Sequence, residues 1–212
     1  MAVSESSAQR YELQDPDVRL MLQVRDDNAA AFDELMLRYQ NRLVTVLEHL
    51  TGRRDQAEDL AQEVFLRVYR ARKRYLAGAK FSTWLYTIAN RVAANARRSS
   101  FRRPEVNLTI RPNDSSGASA LDKMALAASG AMPSRQLDKA ELRDVVRAAL
   151  GELSERQRMA VLLSKFEDMS YADIAATMEM SPQAVKSLLS RARVNLKQIL
   201  EPYLQNGTRP SG

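Results

Sequence analysis

Three cations, Lys186, Arg191 and Arg193, close the stretch Ser170-Tyr-Ala-Asp-Ile-Ala-Ala-Thr-Met-Glu-Met-Ser-Pro-Gln-Ala-Val-Lys-Ser-Leu-Leu-Ser-Arg-Ala-Arg193. The stretch reads as two short helices joined by a tight turn. A basic second helix in such a pair can enter the DNA major groove, its cations meeting phosphates and base edges. The same residues also suit a surface helical hairpin with solvated charges. A second cluster interleaves rings with cations: Tyr75, Phe81, Trp84 and Tyr86 stand near Arg70, Arg72, Lys73, Arg74 and Lys80. Single-stranded nucleic acid needs that mixture, rings to stack on bases and charges to hold phosphates. Arg91, Arg97, Arg98, Arg102 and Arg103 extend the basic surface, and Asn90 and Asn95 can hydrogen-bond base edges. Trp84, Leu85, Ile88 and Val92 are equally spaced for a core face, whereas Tyr75 and the loop at Gly78 follow no helical period.

A third pattern is acidic. Asp55, Asp59, Gln62, Glu63, Leu66 and Arg70 fall on one side of a helix, away from the apolar stripe of Ala57, Leu60, Ala61, Val64 and Val68. An apolar Leu66 ringed by polar residues suits a small protein–protein contact. It also suits a solvated face with one exposed leucine.

Composition narrows the chemistry. The 212 residues carry a net charge of +6, which favours an anionic partner. With no cysteine and a single histidine, His49, the chain offers no thiolate site, no zinc site and no nucleophile–base pair. His49 reads as a surface or half-buried helical residue. Neither a catalytic residue nor a cofactor or metal is expected. No apolar run approaches the roughly 20 residues of a membrane span, and no signal-peptide core follows Met1, so a cytoplasmic protein without membrane contact is expected.

The elements that must position these residues are helical throughout, with no sustained alternation of period two. The spacing predicts helices over Asp17–Val24, Ala29–Leu50 (ended by Gly52), Asp55–Ala71, Phe81–Ser99 (begun by Ser82 or Thr83), Asp138–Leu150 (stopped by Gly151) and Ser154–Phe166, followed by the helical pair. Ser170 with Asp173, Ser154 with Gln157, and Asp138 with Glu141 are capping boxes. Ser181 caps the last helix with Pro182 at its first position. Ile174, Ala175 and Met178, then Ala184, Val185, Leu188 and Leu189, should face inward. Prolines and small polar residues mark 104–136 as a linker, with a helical turn over Leu121–Ala128. The expected fold is all-α: two small helical domains joined by a flexible linker, the C-terminal one a helix-turn-helix. The expected divisions are a disordered 1–15, a first domain 16–103, the linker 104–136, a second domain 137–204 and a disordered tail 205–212.

Asp55-Gln-Ala-Glu-Asp-Leu-Ala-Gln-Glu-Val-Phe-Leu-Arg-Val-Tyr-Arg70, then Phe81-Ser-Thr-Trp-Leu-Tyr-Thr-Ile-Ala89, then the C-terminal helical pair together resemble a bacterial extracytoplasmic-function sigma factor of the sigma-70 family. The resemblance implies a region-two domain, a linker and a region-four domain. It implies that Asp59, Gln62, Glu63 and Leu66 dock on the beta-prime clamp helices of core RNA polymerase. The loop from Tyr75 to Lys80 would take a flipped base of the promoter minus-ten element. Trp84, Asn90, Arg91, Asn95 and Arg98 would hold the melted strand. Lys186, Ser187, Ser190, Arg191 and Arg193 would read the minus-thirty-five element near the beta flap. The family also implies an anti-sigma factor as a partner. The alternative is a helix-turn-helix regulator that binds DNA as a dimer without polymerase.

Overall fold

A computed structural model describes residue 11, residues 13–102 and residues 139–206, and every structural statement below concerns those residues. They form eight helices, α1 Pro16–Arg25, α2 Ala29–Thr51, α3 Arg54–Ala71, α4 Phe81–Arg102, α5 Lys139–Gly151, α6 Glu155–Lys165, α7 Tyr171–Met178 and α8 Pro182–Asn206, with a 3-10 turn at Arg72–Arg74. No strand occurs among the described residues. The expected linker, its turn over Leu121–Ala128 and the cap at Asp138 lie outside them.

Most helix ends follow local capping chemistry. Asn28 accepts from the Ala31 amide at 3.2 Å, and Gly52 ends α2 in the left-handed region (φ 76°) with its N–H on the Glu48 carbonyl. A side chain there would be strained, so glycine is favoured. Ser154 and Gln157 cap each other's backbone at α6, as do Ser170 and Asp173 at α7. Ser181 accepts from the Ala184 amide at α8.

The start of α4 departs from the sequence reading. Neither Ser82 nor Thr83 caps it. Helical bonding begins at Lys80, whose carbonyl takes the Trp84 amide, and Asp15 Oδ2 accepts from the Phe81 N–H at 3.1 Å. The other oxygen of the same carboxylate caps α1 through the Asp17 amide, at 2.9 Å. Order also begins before residue 16: the backbone is helical at 13–14, and Tyr11 packs against the core. At the other end α8 continues through Asn206, two residues beyond the expected boundary.

The first four helices enclose Val18, Met21, Leu35, Leu43, Leu47, Val64, Phe81, Leu85 and Tyr86, all essentially inaccessible. The last four enclose Leu150, Met159, Leu162, Leu163, Ile174, Val185 and Ala192. Leu60, Met178 and Leu188 are only partly buried, and Ala184 is exposed. A small residue at a helix start gives no burial signal by itself. No described helix is long and apolar enough to cross a membrane, and no group of three potential metal ligands occurs among the described residues.

The halves pack on each other through α2 with α6 and α4 with α7. His49 sits at that seam and is buried, not superficial. Its ring lies edge-on to Phe166 with centroids 5.6 Å apart, and its carbonyl accepts from Arg158 Nη1 at 3.0 Å. Burial first, then the charges of Arg147 and Arg158, push its pKa down to about 4. The unfolded chain binds this proton near pH 6.5 and the folded chain does not. His49 therefore contributes stability above pH 6.5 that is lost as pH falls toward 4, to a limit of about 3 kcal/mol. The neighbouring Glu167, held above its ordinary value chiefly by burial, shifts stability the other way and is common to both proteins compared. Urea unfolding across this window should show a steeper acid loss in the wild type than in His49→Leu.

Candidate polymerase and nucleic-acid interfaces

Helix α3 separates its two faces as the spacing requires. Ala57, Ala61, Val64, Phe65 and Val68 are buried. Asp59 and Gln62 are exposed, Glu63 is partly covered, and Leu66 is 50% exposed. Glu63 Oε1 accepts from Arg67 Nε at 2.7 Å one turn on. Asp55 binds Arg53, which with the Gln56 amide holds its carboxyl below the usual carboxylate range. The structure adds what the sequence did not show. Between α2 and α3 runs an apolar groove of ≈ 630 Å³, walled by Phe32, Met36, Val44, Phe65, Leu66 and Tyr69. Phe32 and Met36 are only partly buried, beside the buried Leu35 and Tyr39. They stand at the edge of the buried stripe, and that marginal position was the available signal.

The α4 face is built around Trp84, which is half-buried. Its ring meets Tyr75 edge-on at 4.9 Å and Phe81 at 6.2 Å. Tyr75 itself is 2% exposed. The expectation of an open base platform at Tyr75 is not met: its ring is part of the core, and its hydroxyl is buried without a hydrogen-bond partner. Burial, then the nearby Asp15 and Asp17, raises its pKa well above the phenol value. Lys80, Arg91, Asn95 and Arg98 are exposed along α4, and Asn90 is partly covered. Arg98 donates to Asn95 Oδ1. Lys80 and Arg91 carry anions from the other half, Asp173 at 3.5 Å and Glu179 at 2.5 Å. Arg72 and Lys73, also counted among the basic residues, are both pinned to Asp27, at 3.1 and 2.5 Å.

The C-terminal pair has helix-turn-helix geometry. Helix α7 ends on Glu179 in the left-handed region (φ 54°, ψ 48°), and Met180 N–H donates to the Ala175 carbonyl at 3.0 Å. Val185, Leu189 and Ala192 lock α8 inward. Lys186, Ser187, Ser190, Arg191 and Arg193 are all exposed, spread over an arc of about 160° at 100° per residue. Arg191 Nε donates to the Ser187 carbonyl at 3.4 Å. One side of α8 is thus fixed and the other offers cations and hydroxyls to a groove.

Models of known families match both halves: "Sigma-70 region 2" over residues 35–103 and "Sigma-70, region 4" over residues 143–196. The RNA polymerase sigma-H factor of Pseudomonas aeruginosa is 31% identical over 195 residues, covering 91% of this chain and 97% of that protein. The ECF RNA polymerase sigma-E factor of Escherichia coli is 29% identical over 194 residues, covering 89% and 96%. CnrH, solved with the cytosolic domain of CnrY, shares the fold at a TM-score of 0.61 and 22% identity, covering 86% of this chain and 95% of that one. RpoE of Bartonella quintana, solved with the anti-sigma factor NepR, does so at 0.59 and 24%, covering 80% and 96%. The class is therefore that of the sigma-70 specificity subunits of RNA polymerase. Within it, the chain belongs to the extracytoplasmic-function group. It directs core polymerase to promoters and assists their melting. The dimeric regulator considered as an alternative is not supported, because the matches span both halves and not the helix-turn-helix alone.

The burial of Tyr75 has a direct check. Tyr75→Ala should cost about 3–5 kcal/mol in urea unfolding, as for other buried rings. Tyr75→Phe should cost far less, since the hydroxyl it removes bonds to nothing.

Proposed function

We propose that each exposed face described above carries one step of initiation. The observation that supports this most is the segregation of charge: an acidic, Leu66-centred stripe on α3, and cations on the outward faces of α4 and α8. Asp59, Gln62, Glu63 and Leu66 form the contact with the beta-prime clamp helices of core polymerase. Lys80, Trp84, Asn90, Arg91, Asn95 and Arg98 hold the melted minus-ten strand. Lys186, Ser187, Ser190, Arg191 and Arg193 read the minus-thirty-five element beside the beta flap. The two domains are joined by the linker 104–136.

Binding energy is the whole mechanism, and the factor carries out no covalent chemistry, needs no cofactor and works in the cytoplasm. Phosphate contacts fix register, while Lys186 and Arg191 discriminate bases at about 1–3 kcal/mol for each good pair. Unstacking a base costs a few kcal/mol, offset by its capture. Two weak DNA sites on one chain act together only where polymerase sets their spacing. Regulation by an anti-sigma protein belongs to this reading, since a partner that covers the α3 stripe or α4 silences the factor.

Reversing charge in the stripe should break the first contact. Glu63→Lys should lower core-polymerase affinity at least about tenfold, as loss of a central interface residue does, with unchanged circular dichroism; retention at wild-type strength assigns the stripe elsewhere. Arg191→Ala should flatten sequence preference at the upstream element by about tenfold or more at the base it contacts, read by run-off transcription over a promoter library. Preference that stays intact removes Arg191 from the reading set.

A further inference from the structure

Two carboxylates at the ends of α1 hold the segment that joins α3 to α4. Asp27, just past the C-terminus of α1, accepts from Arg72 Nη2 at 3.1 Å and from Lys73 Nζ at 2.5 Å. Lys73 Nζ also donates to the Arg25 carbonyl at 2.8 Å, and the Arg72 guanidinium lies 4.0 Å from the centre of the Tyr69 ring. Asp15, just before the N-terminus of α1, takes the Phe81 amide at 3.1 Å. Between these ties Tyr75 is buried against Trp84. What the segment presents outward is Leu76, 65% exposed, and Lys80.

The backbone at Asp27 argues against a purely structural role. Its φ is 67°, its N–H donates to the Val24 carbonyl, and the Asn28 N–H donates to the Gln23 carbonyl, both at 3.0 Å. Glycine is the usual residue at such a helix end, and Gly52 fills the left-handed place after α2. An aspartate there is less comfortable than a glycine. Its ion pairs add little to stability in return. The Asp27 side chain is 60% exposed and that of Lys73 54%, and exposed pairs contribute little. A strained position that yields little stability points to function. The match to sigma-70 region 2 begins at residue 35, so α1 and both carboxylates precede it.

We propose that Asp27 is a positioning residue for promoter opening, with α1 as its strut: it fixes the segment 72–81 so that Leu76 and Lys80 meet the separating strands in one geometry. The proposal rests on the reading that Lys80 and the α4 face hold the melted strand. Ten helical residues make a stiff rod about 15 Å long. Tied at both ends, it restrains the turn that leads into α4. Ordering a loose segment at the moment of capture has an entropic cost, and a segment already held avoids it. Asp27 acts through Arg72 and Lys73. Its effect falls on opening, because the α3 stripe and the outward face of α8 lie outside the braced segment.

Asp27→Gly separates this role from a structural one, because glycine relieves the backbone while removing the carboxylate. The full-length variant with core polymerase would be followed on a promoter selected by run-off transcription, carrying 2-aminopurine in its minus-ten element. The opening rate should fall about two- to fivefold, as the loss of exposed pairs implies. Initial promoter binding and stability in urea should stay at or above the wild-type values. Asp27→Asn, which keeps a tolerance of left-handed backbone and an acceptor oxygen but loses the charge, should fall between. Wild-type opening by Asp27→Gly overturns the proposal. So does slower opening accompanied by an equal loss of initial binding or by lower stability. Lys80→Ala with Arg98→Ala tests the underlying reading separately. If that variant slows opening while Asp27→Gly does not, the brace alone is wrong. If it opens the promoter at the wild-type rate, the strand-holding assignment of α4 itself falls.

Discussion

One carboxylate sets the phase of the surface on which this factor depends. Asp15 gives one oxygen to the Asp17 amide and the other to the Phe81 amide, so the starts of α1 and α4 are tied together. The amides of a helix's first turn have no partner inside the helix, and a buried one must find an acceptor elsewhere. Beginning α4 at Phe81 turns Phe81, Leu85, Tyr86 and Ala89 into the core. Lys80, Arg91, Asn95 and Arg98 then have no choice but to face outward. A start one residue later would rotate the cations by about 100° and break up the basic face.

Charge is the second organising constraint. A net charge of +6 would make a uniformly basic protein adhere to any polyanion. Here the acidic residues are placed to prevent that. One set lies on α3, where Asp55 and Glu63 pair with Arg53 and Arg67. Another set, Glu155, Glu167, Asp173 and Glu179, faces the cations of the N-terminal half directly. A third, Asp27, takes both Arg72 and Lys73, which fixes the turn after α3 and withdraws two charges from general attraction.

Most helix ends were legible in the sequence because their causes are local. Ser170 and Asp173, Ser154 and Gln157, Ser181 and Gly52 act within three or four residues, and reading them needs no knowledge of the rest of the chain. The start of α4 was not legible, because its cap comes from Asp15, 66 residues away. The burial of Tyr75 was not legible for a related reason. It lies between helices, where periodicity says nothing of burial, and its ring packs edge-on against Trp84. The acidic stripe was visible, but the groove beside it was not, since half of its wall belongs to another helix. The packing of α7 on α4 was also hidden. It includes contacts of threonines, aspartate and lysine, residue types that carry no apolar signal.

Trp84 is the one tryptophan in the chain. It sits next to Thr83, the residue on which Asp173 and Thr177 converge, and against the phenol ring of Tyr75. Indole emission depends strongly on polarity and on neighbouring quenchers, so the molecule has an optical gauge of how the Tyr75 segment packs on α4. Its colour and intensity follow the wetting of that contact without a dye, a tag or an engineered residue.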